Sequence, residues 1–349
     1  MNDFSQKGEK RIKEYAGKIK GRGNNTWWRF PKKPYKIEFN EKVSFFGLPQ
    51  NKDWALLANY ADKSLIRTQV VMYMGQISNL DWTPHSDFVE VFLNDKFQGC
   101  YELIENIKIG KNRVNVTEDG YILEVDNLYI TDDDVSFKTQ RLPLNVKKPK
   151  IEKDGERHKF ISDYVQQVER ILYSDTFLDK EIGYKKYVDI ESFVEWYIIN
   201  EICRNQDSYM WTSCFMNVSP DGIIRMGPLW DYDNAFGNSY FGDARNPEGF
   251  WIKKAKWFER LFLDPEFVSL VKERFDYYYN KKEELQLLIN SKYQYLKKSV
   301  VENENVWNVL YQYAYPNYEI WGAYENEVYY VKWFLDTRMK WLKENINRL

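Results

Sequence analysis

The feature that most constrains this chain is a change in the period of its apolar residues about a third of the way along. Up to residue 125 apolar and polar side chains alternate in short runs, as half-buried strands require; beyond it they recur mainly at helical spacing. A strand ending near Gly21 and the run Pro34 to Phe39 belong to this part, and the segment Gly120 to Val125 adds another strand. Phe88 to Leu93 and Phe97 to Ile104 flank the polar turn Asn94-Asp95-Lys96 and predict a hairpin. One helix interrupts the strands: Asp62 caps a segment whose apolar face is Leu65, Ile66, Val70, Met72, Tyr73 and Ile77. In the second half Asp264-Pro265 opens a helix buried through Phe267, Leu270, Val271 and Phe275. Asp189 opens another, with Phe193, Val194, Tyr197, Ile198 and Ile202 inward, which delivers Asn205 and Asp207 into the loop after it. A strand-turn insert follows at Ser213 to Val218 and Ile223 to Met226, and a last amphipathic helix spans Tyr324 to Ile346. The expected architecture is a two-lobed α+β protein, with a strand-rich lobe over 1–125 that includes one packing helix and a mainly helical lobe over 126–349. No repeat or low-complexity linker divides the two, which predicts one cooperative unit.

Composition narrows the chemistry mostly by exclusion. With 50 basic and 52 acidic side chains and a formal net charge of -2, nothing points to nucleic acid as a partner. No apolar run is long enough to span a membrane. The opening MNDFSQKGEKR lacks the apolar core of a signal peptide, and the short stretch before the first strand leaves the native N-terminus and the compartment open. Cys100, Cys203 and Cys214 form no Cys-x-x-Cys pair and are expected as buried thiols. Only His85 and His158 are present, so a multi-histidine zinc site is excluded and carboxylate chemistry remains. The run Asp132-Asp133-Asp134 lacks the ligand spacing of a calcium loop and is read as a solvated turn.

The strongest local signal is Met226-Gly227-Pro228-Leu229-Trp230-Asp231-Tyr232-Asp233-Asn234-Ala235-Phe236-Gly237-Asn238. A strand entering Gly-Pro and then two acidic residues with one spacer is what a loop holding a hard cation needs, and Asp231 and Asp233 are the candidate ligands for magnesium or manganese. An Asp-x-Asp also caps helices and turns, so the motif needs a partner. Arg204-Asn205-Gln206-Asp207 offers one, because a hairpin separates the two loops and brings them to one end. Phosphoryl transfer needs a clamped cation, a group that takes or orients the acceptor hydroxyl proton, and positive charge on the phosphates. Asn205, Asp207 and Asp231 have that chemistry, although Asn205 and Asp207 could equally end their helix through local hydrogen bonds.

The chain resembles the CotH kinase family over most of its length. The motifs that carry this are Gly21-Arg22-Gly23-Asn24-Asn25-Thr26-Trp27 with Lys32 to Phe39, Asp53-Trp54 to Asp62 with Arg67, Phe88-Val89-Glu90 through Glu105, Asn200-Glu201 with Asn205 and Asp207, and Gly227 to Asp231. The resemblance implies an atypical protein-kinase-like fold, ATP with Mg2+ or Mn2+, a Ser or Thr acceptor on a protein, and a secreted or cell-surface location of the spore-coat kind. By the same resemblance Asp231 corresponds to the metal-binding aspartate of the kinase Asp-Phe-Gly element and Asp207 to the catalytic-loop aspartate. Arg22, Asn24, Trp27, Lys33, Lys36, Glu105 and Trp230 become candidates for the nucleotide. Arg22 suits phosphate because guanidinium forks onto oxyanions. Lys33 and Lys36 compete as the phosphate lysine, Glu105 is the substitute partner for it since the helix after Asp62 has no glutamate before Gly75, and Trp27 and Trp230 offer faces for adenine.

Departures from ordinary kinases are plain: Asp231-Tyr232-Asp233 stands at the Asp-Phe-Gly position, His-Arg-Asp is missing, and the glycine-rich loop reduces to a lone Gly-x-Gly. Two other readings therefore stay open. One is a carbohydrate-directed protein using Asp207 and Asp231 as acid and base, suggested also by the Trp and Tyr content. The other is a pseudokinase that serves as an adhesive or binding surface.

Overall fold

A computed structural model describes residues 2–3 and 11–349, so most of the opening segment read for a leader lies outside the described residues. The two-residue strands β1 (Asn2–Asp3) and β2 (Arg11–Ile12) pair with each other. A five-stranded antiparallel sheet then forms from β3 (Gly17–Gly21), β4 (Tyr35–Val43), β5 (Asn51–Leu57), β6 (Ser86–Leu93) and β7 (Lys96–Glu105), in the order β3-β4-β5-β7-β6. The expected hairpin is β6–β7. Asn94 and Asp95 make its turn with φ of 48° and 61°, the left-handed pair that matches strand twist and that Asn and Asp tolerate.

Between β3 and β4 lies a one-turn helix, α1 (Asn25–Arg29). Between β5 and β6 lies α2 (Arg67–Gln76), which starts later than the apolar spacing predicts, because Asp62 to Ile66 form a turn before the first helical residue. Asp62 still does the capping, since its carboxylate accepts from Ser64 N (3.1 Å) and Arg67 N (2.9 Å).

The strand at Tyr121–Val125, β8, joins a different sheet from the strands before it. It pairs antiparallel with β10 (Pro143–Lys148) and β11 (Cys214–Val218), giving the order β12-β11-β8-β10-β9 with β9 (Ser136–Lys138) and β12 (Ile224–Met226) at the edges. All five β8 residues are buried, so alternation gives no sign of which sheet it enters. The second half is accordingly richer in strands than its helical spacing suggests. It is a mixed α+β chain built on two antiparallel sheets.

Five longer helices complete the second half. They are α3 (Glu156–Leu172), α4 (Ile190–Cys203), α6 (Pro265–Asn280), α7 (Lys282–Trp307) and α8 (Tyr324–Asn345), with the short α5 (Trp257–Leu261) between α4 and α6. The predicted caps are present: Asp189 accepts from Ser192 N (2.9 Å) and Asp264 from Glu266 N (2.9 Å), each interaction contributing about 1 kcal/mol. Helix α7 lies close against β7. Gly99 permits this, because a Cβ there would sit 2.4 Å from Asn303 Oδ1.

All three cysteines are free and buried, as expected, and Asp132 to Asp134 form a turn in which Asp134 accepts from Thr131 N (2.8 Å). No helix among the described residues is long and apolar enough to cross a membrane.

Candidate active site

Helix α4 is buried almost throughout, and its last residues decide the site. Arg204 ends it in a left-handed conformation (φ 47°), so the chain turns sharply, and a single 3-10 turn (Gln206–Ser208) then carries Asp207. Strand β12 runs into Gly227, and the following loop presents Asp231, itself left-handed at φ 69°. A non-glycine residue in that region is strained and persists only where its surroundings hold it. The two loops are tied together by Phe236 N donating to Cys203 O (2.7 Å) and Asn205 Nδ2 donating to Asp231 O (3.2 Å).

Asp207, Asp231 and Asp233 thereby line one cleft of about 1050 Å³, together with Arg22, Asn24 and Trp230. Residues of both sheets contribute to its walls, among them Leu57 and Ile104 from the first and Glu124, Asn145 and Phe215 from the second. Asp207 is buried (8% exposed), Asp233 is half-buried and Asp231 is exposed. Among the described residues no ion pair reaches any of the three; the Asp231 carboxylate accepts from Ser213 Oγ (3.1 Å).

The electrostatic result is a site short of positive charge. Burial, then the negative charges of Asp231 and Asp126, push Asp207 up to about 8. Asp233 is also pushed well above the usual carboxylate range, by the loss of water around it and then by Asp231, Asp207 and Asp62, against which Arg67 acts in the other direction. Arg22, half-buried with its guanidinium 5.2 Å from the centre of the Trp230 ring, is lowered by burial and supported by Asp231, Glu124 and Asp233. Two side-chain oxygens nearby, Asn205 Oδ1 and Asn234 Oδ1, are buried without a partner. Carboxylates and orphaned amide oxygens are the donors that Mg2+ or Mn2+ takes. No group of three or more His, Cys, Asp or Glu among the described residues is already gathered at ligating distance, so a cation would have to draw these donors in.

Not every residue predicted for the nucleotide reaches the cleft. Lys33 turns back on its own loop, donating to Trp27 O (2.5 Å) with Nζ 5.5 Å from the Trp27 ring. Trp27 itself packs over Gly21 and meets Tyr35 edge-on, off the cleft walls. Lys36 pairs with Asp53 (2.9 Å), which Lys108 also holds (2.6 Å). Glu105 is no partner for either lysine, being bound to buried Arg113 and to His85 (3.2 Å). Asn205 is not among the cleft-lining residues, and its amide donates to Asp231 O (3.2 Å).

The cleft's other charged residues escape a reading by motif. Lys147 pairs with Glu124 (2.8 Å), while Lys148 is half-buried, lines the cleft and is lowered by burial and then by Lys36. Asp126 accepts from Leu128 N (2.9 Å), Tyr129 N (3.0 Å) and Thr212 Oγ1 (3.0 Å), which fixes the turn beside Asp207. The available signal was a Glu-Val-Asp at the end of a buried strand, where charge is costly unless it has work to do.

The cleft of this α+β fold brings the carboxylates of Asp207, Asp231 and Asp233 together with the cationic side chains of Arg22 and Lys148. The sequence profile of the CotH kinase protein family matches residues 19–342, and the chain belongs to that family. No individually curated protein matches it.

Proposed function

We propose that the chain is an ATP-dependent phosphotransferase with a two-lobed kinase-like arrangement, acting on Ser or Thr of a protein outside the cytoplasm. The observation that supports it is the set Asp207, Asp231 and Asp233, gathered in one cleft without an ion pair among the described residues, with Arg22 and Lys148 among the other residues that line it. Asp231 and Asp233, with the Asn234 oxygen close by, are the residues that would hold a divalent cation, which would neutralise phosphate charge. Arg22 and Lys148 meet phosphate oxygens, and Trp230 offers an aromatic face beneath Arg22. Asp207 receives the proton of the acceptor hydroxyl as its oxygen bonds to the γ-phosphorus and the bond to the ADP oxygen breaks.

The test follows ADP release and phosphoprotein formation from labelled ATP with Mg2+ and a panel of Ser/Thr-containing proteins. Asp207→Asn is expected to lower transfer about 10²- to 10⁴-fold. Equal rates for wild type and variant contradict the assignment. A binding platform without transfer is the second reading, favoured by Asp231-Tyr232-Asp233 at the Asp-Phe-Gly position, and nucleotide binding without ADP release supports it.

A further inference from the structure

The entry to α2 is pinned to the loop carrying Asp231 and Asp233 by contacts that helix capping does not require. Asp62 already satisfies the first amides of the turn. Arg67, fully buried, adds a bond from Nε to Ala235 O (3.0 Å), while its Nη1 holds Asp62 (2.5 Å) and Ser64 Oγ (3.0 Å). Around it Asn238 Nδ2 donates to both Ala61 O (3.1 Å) and Asp233 O (2.7 Å). Asn317 Nδ2 donates to Ala61 O (2.8 Å) and Asn238 Oδ1 (3.1 Å), and Lys63 Nζ donates to Asn317 Oδ1. The segment Ala61 to Arg67 is thus clamped to the carboxylate loop at two points and to the chain before α8 at others.

The loop needs such a hold. Asp231 (φ 69°) and Phe236 (φ 51°) bracket it, and both are non-glycine residues in the left-handed region, a conformation that relaxes unless neighbouring structure over-determines it. Arg67 binds the carbonyl of Ala235, next to the second strained residue, and the Phe236 amide is taken by Cys203 O (2.7 Å). Helix α2 contains no acidic residue at all, so it cannot supply the glutamate that an ordinary kinase helix offers a phosphate-binding lysine. Its link to the site runs to the carboxylate loop instead.

We propose that Arg67 is a positioning residue: through Ala235 it holds the Asp231 to Phe236 loop in the geometry that retains a divalent cation, so that any shift of α2 is transmitted to the cation. The proposal rests on the cation assignment made above, and the test separates the two. Mn2+ binding is followed by electron paramagnetic resonance, without nucleotide or turnover, for wild type, Arg67→Lys and Asn238→Ala. Amide hydrogen exchange of residues 231–238 is measured on the same proteins without metal. Lysine keeps the charge but not the fork, and Asn238→Ala removes the second tether without leaving a buried charge. Each substitution is expected to weaken Mn2+ binding about tenfold or more, the usual size of a loss behind a metal ligand, and to speed exchange in 231–238 while α8 stays protected. Unchanged exchange in both folded variants, or Mn2+ binding within about twofold of wild type, overturns the positioning role. A wild type that binds no Mn2+ removes the cation assignment, while the exchange data still decide whether Arg67 holds the loop.

Discussion

Two kinds of acidic residue sit in this chain, and they are treated in opposite ways. Glu201, fully buried, accepts from Ile252 N (2.9 Å) and pairs with equally buried Arg338; Glu105 pairs with Arg113 and Asp62 with Arg67. Asp207, nearly as buried as these, has no cationic partner among the described residues and feels the charges of Asp231 and Asp126. A buried charge that is paired holds structure together, whereas one left without a counter-ion costs stability and is retained where a ligand supplies the missing charge.

Breaking the comparison on the cleft side has the largest expected effect. Asp231→Asn should lower phosphoryl transfer by about 10²- to 10³-fold at saturating ATP and Mg2+, measured by ADP release, with no loss of thermal stability, because no ion pair is broken. On the structural side the expected effect falls on folding. Glu201→Ala should cost about 3–5 kcal/mol in urea unfolding by stranding Arg338 in the core.

A smaller effect sharpens the contrast through pH. The Asp207 carboxyl is raised to about 8 in the folded chain against about 4 unfolded, so the folded state binds the extra proton between those values. Its contribution is fully present below pH 4 and is lost as pH rises through about 8. Without metal, the melting temperature should therefore fall by a few degrees between pH 5 and pH 8.5, and Asp207→Asn should flatten that fall. A paired control such as Asp264, lowered despite its burial by Lys185 and Tyr184, loses its contribution only in acid. The smallest expected effect is at Lys33. Since its ammonium is spent on Trp27 O, Lys33→Ala should change the KM for ATP by less than about twofold, whereas Lys148→Ala should raise it several-fold.

These contrasts also show how far the sequence could be read. That Asp207 and Asp231 stand in loops was legible because each follows an element with a clear local period and a clear end, a buried helix in one case and a Gly-Pro strand exit in the other. The hairpin at Asn94-Asp95 and the caps at Asp189 and Asp264 were legible for the same reason: the physics that sets them lies within a few residues. The second sheet was not, because β8 is buried along its whole length and its partners β10 and β11 lie far along the chain. Glu124, Lys147 and Lys148 were hidden with it. Lys33, Lys36, Trp27 and Glu105 were assigned by correspondence alone, and their positions depend on partners, such as Asp53 and Arg113, that no local pattern reveals.

The central claim is that the unpaired carboxylates await a cation and its nucleotide. Calorimetric titration with a non-hydrolysable ATP analogue, with and without Mg2+, on wild type and Asp231→Asn tests it most directly. Mg2+-dependent binding to the wild type that the substitution abolishes is the predicted result. Binding that is absent under every condition, or equal in the two proteins, contradicts it.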